Sequence, residues 1–350
     1  MADDKTAVRP IDVGGIKFGE IQANSWDNLL RTYQEWFSPR PESFKPGGPR
    51  PTQWVFRAEK RKRGEQAKDI DCVSCCCGNA SLCRSADVGF LTSLTKAFMA
   101  SGIDSPEEKE KWEADLVREF KRKAHHFEAS LPDTEDDLEW LALIQHYFGP
   151  TRLLDRTYSF FLACYFAINE LECGKSPPDE RQIWALDANY ITYEGEEPKR
   201  PRIERIIGKR RYHWCKKKAK RQAHNRFMDE DCALRGQVVD FLMRKNKACV
   251  YHVTPVRLNE RLMKQRGAFL LQGDTTKCFV RNLKETLGND HDSASYLYRI
   301  VISLSLTEKK RCLWELDHMG INQAVLFPDL RGFAESLIRR LAFRERRVPK

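Results

Sequence analysis

Apolar positions recur with two different periods along this chain, and the change from one to the other divides it. A short alternating run around Gly15 to Phe18 reads as a strand, and Ser25 then stands as an N-cap before Trp26, Leu29, Leu30, Tyr33 and Phe37 at helical spacing. The Pro- and Gly-rich stretch 38–51 closes that helix as a loop. Gln53 to Glu59 (QWVFRAE) alternates, with Trp54 and Phe56 on one face and Val55 and Arg57 on the other, which predicts a strand. Helical periodicity returns over 89–100 and over 106–128, where Trp112, Leu116, Phe120 and Phe127 recur. A third helix is predicted from Asp136 to Tyr147, capped by LPDTEDD, and its Trp140, Leu141, Leu143, Ile144 and Tyr147 cover more than one face, as in a buried helix. Gly149-Pro150 stops it. Thr157 or Ser159 can cap a fourth helix, FFLACYFAINELE. Short strands follow at 182–186, 249–254, 267–271 and 297–304, and a helix is expected around 331–343. Helices first and strands later predict an α+β fold, with a helical N-terminal half packed on a small mixed or antiparallel sheet.

The longest unbroken apolar run, Phe160 to Ile168, has nine residues. A membrane-spanning helix needs about 20, so no span and no membrane partner are expected. Mean hydropathy is −0.60, with 41% hydrophobic and 31% charged residues, which fits a folded core under a well-solvated surface. The start, MADDKTAVRP, lacks a basic stretch leading into an apolar one, so a cytoplasmic location with reduced cysteines is the expectation. The net charge of +10 is local. Residues 199–221 hold twelve Lys or Arg against one Glu, a balance of +11 that leaves −1 for the rest of the chain. Two readings compete for this segment: a solvated, flexible insertion, or a nucleic-acid contact in which Tyr212, His213 and Trp214 stack on bases among the cations.

Residues 72–83 (CVSCCCGNASLC) place five thiols within twelve residues. Cys72, Cys75 and Cys83 have the spacing of three zinc ligands, with His125 or His126 as a distant fourth, but no second paired motif completes the set. No metal site is assigned. The densest polar segment is Gln145 to Ala167 (QHYFGPTRLLDRTYSFFLACYFA), which gathers His146, Arg152, Asp155, Thr157 and Ser159 between two buried helices. Arg152 and Asp155 could simply pair, and His146 could bond a backbone carbonyl. So many polar groups opening onto a helix N-terminus also make an anion site.

This segment resembles the signature of the FRG domain, which usually reads like HYGLPTRLLDWTxSPxxALYFA. VFRAE (55–59), IWALD (183–187), RLMKQRGAF (261–269) and GINQAVLFPDLRG (320–332) match further landmarks of that family in order. The resemblance spans about 50–335. It implies a lead-in over 1–50, an FRG domain over 51–335 with a Cys-rich insertion (60–88) and a basic one (194–235), and a basic tail over 336–350. The sequence departs from the family's pattern at Ala58, Phe148-Gly149, Arg156 and Phe160, which stand for glycine, glycine-leucine, tryptophan and proline.

The motif order is also similar to that of ADP-ribosyltransferases with an arginine, a serine-rich strand end and a late glutamate. That similarity implies NAD as the cofactor and an ADP-ribosyltransferase-like enzyme. Arg57 would grip the phosphates, His146 and Arg152 would line the nucleotide pocket, and Asp155 would hold Arg152. Thr157 and Ser159 would orient a ribose, and Gln265 would stand at the late acceptor position. Because Gln265 is not a carboxylate, a non-catalytic module binding a nucleotide, nucleic acid or protein is the alternative.

Overall fold

The computed structural model describes residues 7–13, 16–41, 52–61, 90–169, 180–194, 200–226, 229–257, 259–288 and 293–342. The fold is α+β, built on one eight-stranded mixed sheet with helices against both faces. Its strands are β1 (Val8–Val13), β2 (Ile16–Ala23), β3 (Trp54–Arg61), β4 (Leu153–Thr157), β5 (Glu180–Asp187), β8 (Val250–Val253), β9 (Gly267–Gln272) and β10 (Leu297–Ile302). They lie in the order β1-β2-β10-β5-β3-β4-β9-β8. Only the β2–β10 neighbours run parallel. A two-residue ribbon, β6 (Tyr193–Glu194) with β7 (Arg200–Pro201), stands apart.

The sheet is larger than expected because the N-terminal lead-in joins it. β1 pairs with β2 over Val8↔Ile21 to Val13↔Ile16, and β2 lies along β10. The helix α1 (Trp26–Thr32) begins at Ser25, whose side chain accepts from Asn28 N, and continues through one wider turn to Phe37. It packs with α5 (Phe160–Ile168) and α12 (Leu306–His318) on one face of the sheet, around Ile21, Phe56, Ala185 and Ile300. Farther along that face, α4 (Asp137–His146), α8 (Lys209–Arg226) and α9 (Glu230–Lys245) cover Leu153, Tyr251, Phe269 and Leu271. The opposite face carries Val55, Leu154, Trp184 and Leu270 under Phe90 and α11 (Phe279–Leu287). Val55 and Phe56 thus enter different cores, as the alternation in QWVFRAE predicts.

Two expectations need correction. The segment after α4 is not a loop between helices: Leu153–Thr157 is a strand in mid-sheet, because Leu153 and Leu154 plug the cores on its two faces. Among the described residues the basic segment is not a wholly solvated run. Arg202–Ile207 (α7) and α8 are ordered helices whose Ile203, Ile207, Tyr212, Cys215, Ala219 and Ala223 are buried. Likewise α3 (Pro106–Lys123), which follows α2 (Ser93–Ser101), turns Glu113 and Val117 inward and leaves Trp112 and Leu116 exposed. No helix among the described residues is long and apolar enough to cross a membrane.

Candidate functional site

The sheet parts at its middle. β3 pairs with β5 over eight positions, from Trp54↔Asp187 to Arg61↔Glu180, but meets β4 at one, Phe56↔Thr157. Continued pairing would set Arg57 opposite Arg156 on one face, and like charges directly opposed repel. Instead the strands diverge, and Arg57 Nη1 reaches across to donate to the Asp155 carbonyl at 3.0 Å. Its Nε donates to Glu59 Oε1 at 2.6 Å.

Arg156 lies beside this gap at 4% exposure, its guanidinium 4.8 Å from the Phe90 ring centroid. None of Nε, Nη1 and Nη2 finds a hydrogen-bond acceptor among the described residues. Burial first, and the Arg57 charge second, push this guanidinium from 12.5 down to about 9, against the opposing pull of Glu59 and Asp155. Burial also raises the Glu59 carboxyl, although Arg57, Arg156 and Lys96 all act to lower it. A buried cation without an acceptor is costly unless an anion arrives.

The closed end of the parting is tightly bound. Thr157 Oγ1 donates to the Gln265 carbonyl at 2.8 Å, and Tyr158 N donates to the Arg266 carbonyl at 3.0 Å. Ser159 caps α5 by accepting from Leu162 N. Gln265 closes the short helix α10 (Glu260–Lys264), and its Nε2 donates to the Leu326 carbonyl at 3.2 Å, in α13 (Gln323–Leu326). Gly267 starts β9 where an added Cβ would lie 2.1 Å from Leu262 Cδ1, so a larger residue there would require the Leu262 side chain to move.

Near this corner two residues other than glycine hold positive φ, Phe148 at 61° and Arg266 at 46°. Phe148 follows α4 in a glycine-type cap: its N–H donates to the Gln145 carbonyl, and Gly149 N donates to the Ile144 carbonyl. A bulky side chain there is strained. Phe148 is nonetheless exposed and lies 4.6 Å from the Arg261 guanidinium, which is also 5.0 Å from the Phe327 ring. His146 is half-buried at the end of α4, with its pKa lowered by burial and then by the Arg261 charge.

The structure brings Arg57, Thr157 and Gln265 onto or beside three adjacent strands, β3, β4 and β9, although Thr157 shares its face with Phe56 while Arg57 is on the other. It separates Arg152 from them. Arg152 is 1% exposed; it donates to both Glu113 oxygens, to the carbonyls of Gln272 and Gly273, and to Asn246 Oδ1. The expected pair with Asp155 does not form, because alternation along β4 turns Arg152 toward Glu113 on α3 and leaves Asp155 exposed, where its Oδ2 accepts from Gln145 at 2.8 Å. Arg156, Arg261 and Phe148 escaped sequence reasoning as site residues. The signal for Arg156 and Phe148 was present in their departures from the family's tryptophan and glycine.

Cys72, Cys75 and Cys83 lie outside the described residues. Among the described residues no group of three or more His, Cys, Asp or Glu is arranged to hold a metal ion.

These features define an α+β domain whose sheet opens at an arginine-lined gap beside a strand-to-helix corner. The family model of the FRG domain matches residues 84–175, which include that corner, and the chain is an FRG domain-containing protein. Neither the curated proteins nor the solved structures contain a match to it.

Proposed function

We propose that this FRG domain binds a pyrophosphate-bearing nucleotide, with NAD the first candidate, at the parting of β3 and β4, and acts as an ADP-ribosyltransferase-like enzyme. The observation that carries this reading is the buried guanidinium of Arg156, which has no acceptor among the described residues, beside Arg57 at a break in the sheet. Guanidinium forks match phosphate oxygens, and a water-poor gap strengthens that attraction. Arg57 and Arg156 would hold the pyrophosphate. Ser159 would orient the ribose at the strand-to-helix corner, with His146 at its edge, while Thr157, on the face opposite Arg57 and donating its Oγ1 to the Gln265 carbonyl, would hold that corner in place. Gln265, whose Nε2 is engaged by Leu326, would offer its Oε1 to a ribose hydroxyl. Arg152 has no place in this arrangement, since its donors are engaged elsewhere.

In the reaction the glycosidic C–N bond of NAD breaks, nicotinamide leaves with the bonding pair, and an acceptor oxygen or nitrogen forms the new bond to the ribose carbon. Incubation of the protein with NAD should release nicotinamide, and Arg57→Ala should abolish release while the far-ultraviolet spectrum stays unchanged. Absence of both NAD binding and release would refute the proposal.

One observation favours a second reading. Gln265 stands where the transferases carry a carboxylate, and an amide does not neutralise the positive charge that develops as the glycosidic bond loosens. NAD binding without nicotinamide release would identify a non-catalytic nucleotide-binding module.

A further inference from the structure

A cavity of about 280 Å³ lies away from the β3–β4 parting, where α8, α9 and the segment before α4 meet. Lys218, Arg221 and Gln222 line it from α8, Gly236, Gln237 and Asp240 from α9, and Asp133, Glu135 and Asp136 from the third side. Four carboxylates face two cationic side chains, a balance of −2.

The deepest groups are hydrogen-bond acceptors. Asp240 and Gln237 are only 5% and 6% exposed, and Asp240 Oδ1 and Gln237 Oε1 have no donor among the described residues. The nearby cations do not supply one. Lys218 Nζ lies 5.6 Å over the Trp214 ring, and Arg221 is exposed to solvent. The Gln237 amide nitrogen is already used, donating to Gln222 Oε1 at 2.9 Å. Buried acceptors without donors are rare and costly, and in a cavity they mark the place of a donor. Burial, with the neighbouring Asp137 and Asp136 charges, raises Asp240 to about 7, a balance that a bound cation would reverse. A metal ion is a poor match, since among the described residues no three ligating side chains converge. A donor group with several N–H bonds can instead reach Asp240 and Gln237 together.

We propose that this cavity is a binding site for a compact organic cation, an amine or a guanidinium, whose N–H groups donate to Asp240 Oδ1 and Gln237 Oε1. The cavity is just below the usual volume of small-molecule pockets, roughly 300 Å³ and upward, so the ligand is small. Gly236 keeps the wall open: a Cβ there would have Asp136 Oδ1 at 3.9 Å as its closest neighbour.

Calorimetric titration of the full chain with agmatine, putrescine and arginine tests the site, with magnesium chloride and sodium phosphate as competing probes. At least one organic cation should bind at one per chain, and Asp240→Asn should weaken it tenfold or more. Gly236→Leu, which fills the cavity without removing a polar group, should abolish binding, and it decides the matter if Asp240→Asn fails to fold. Magnesium or phosphate binding in place of the organic cations would overturn the proposal. So would unchanged affinity in the folded Gly236→Leu variant, or no heat with any of the three cations.

Discussion

Replacing Arg156 by methionine removes the guanidinium while keeping an unbranched side chain against Phe90. One pKa unit corresponds to 1.36 kcal/mol, so a group held at about 9 instead of 12.5 is disfavoured in its charged form by roughly 5 kcal/mol relative to solvent. The stacking on Phe90 at 4.8 Å returns about 1 kcal/mol of this. Methionine is therefore expected to stabilise the fold by about 2–4 kcal/mol, within the range found when buried charges give way to apolar groups. Urea unfolding at pH 7, in buffer free of phosphate, reads the gain as a higher midpoint for Arg156→Met.

The sign of the pH dependence follows from the depressed pKa. Below about pH 9 both folded and unfolded chains hold the Arg156 proton, and the cost is fully present. Above it the folded chain releases the proton first, so the unfolded chain binds more protons and wild-type stability gains relative to the variant. The gap between the two proteins should narrow as pH rises through 9 to 11. Added pyrophosphate should close it from the other side, by raising the wild-type midpoint and leaving Arg156→Met unmoved. A variant less stable than wild type in phosphate-free buffer would refute this reasoning, because it would mean that Arg156 already has an anionic partner.

The other predictions concern the surroundings of the site and the basic helix. Glu113→Gln breaks a buried, doubly bonded pair with Arg152 and should lower stability by about 3–5 kcal/mol, seen as a lower urea midpoint. Phe148→Gly relieves a positive φ of 61° in the cap of α4 and should raise the thermal midpoint by an amount matching about 1 kcal/mol. An unchanged or lower midpoint would mean that the Arg261 contact outweighs the strain. The proposed nucleic-acid contact of the 199–221 segment predicts that single-stranded RNA or DNA binds along the solvent face of α8. Affinity should then fall steeply between 50 and 200 mM salt, and Lys216→Glu with Lys217→Glu should weaken it at low salt; salt-independent binding would exclude the contact.

Much of the fold was legible because burial leaves a periodic trace. Ser25 caps the helix that it was expected to cap, Ser159 is the one of the two expected candidates that caps α5, Asp136 proves to be the cap of α4 rather than its first residue, and β3 divides its side chains between two cores as its alternation predicts. β4 left almost no trace, since five residues with two leucines side by side look like a turn until neighbours cover both faces. The basic helix hid for a different reason: its buried stripe is made of Tyr212, Cys215, Ala219 and Ala223, small or amphipathic side chains among charges that dominate any average. Glu113 shows the limit most clearly. No hydrophobic pattern turns a glutamate inward, and α3 does so only because Arg152, thirty-nine positions later, meets it in the interior. The site follows the same logic. The nearness of Arg57, Thr157 and Gln265 along the sheet was legible from motif order, which survives as adjacency of β3, β4 and β9. Arg156 was visible only as a departure from the family's tryptophan, because its significance is the lack of an acceptor among the described residues around a buried charge, a property of the folded surroundings. Single-residue patterns record where a side chain prefers to be; a buried guanidinium opposes that preference, and such an opposition persists when a ligand repays it.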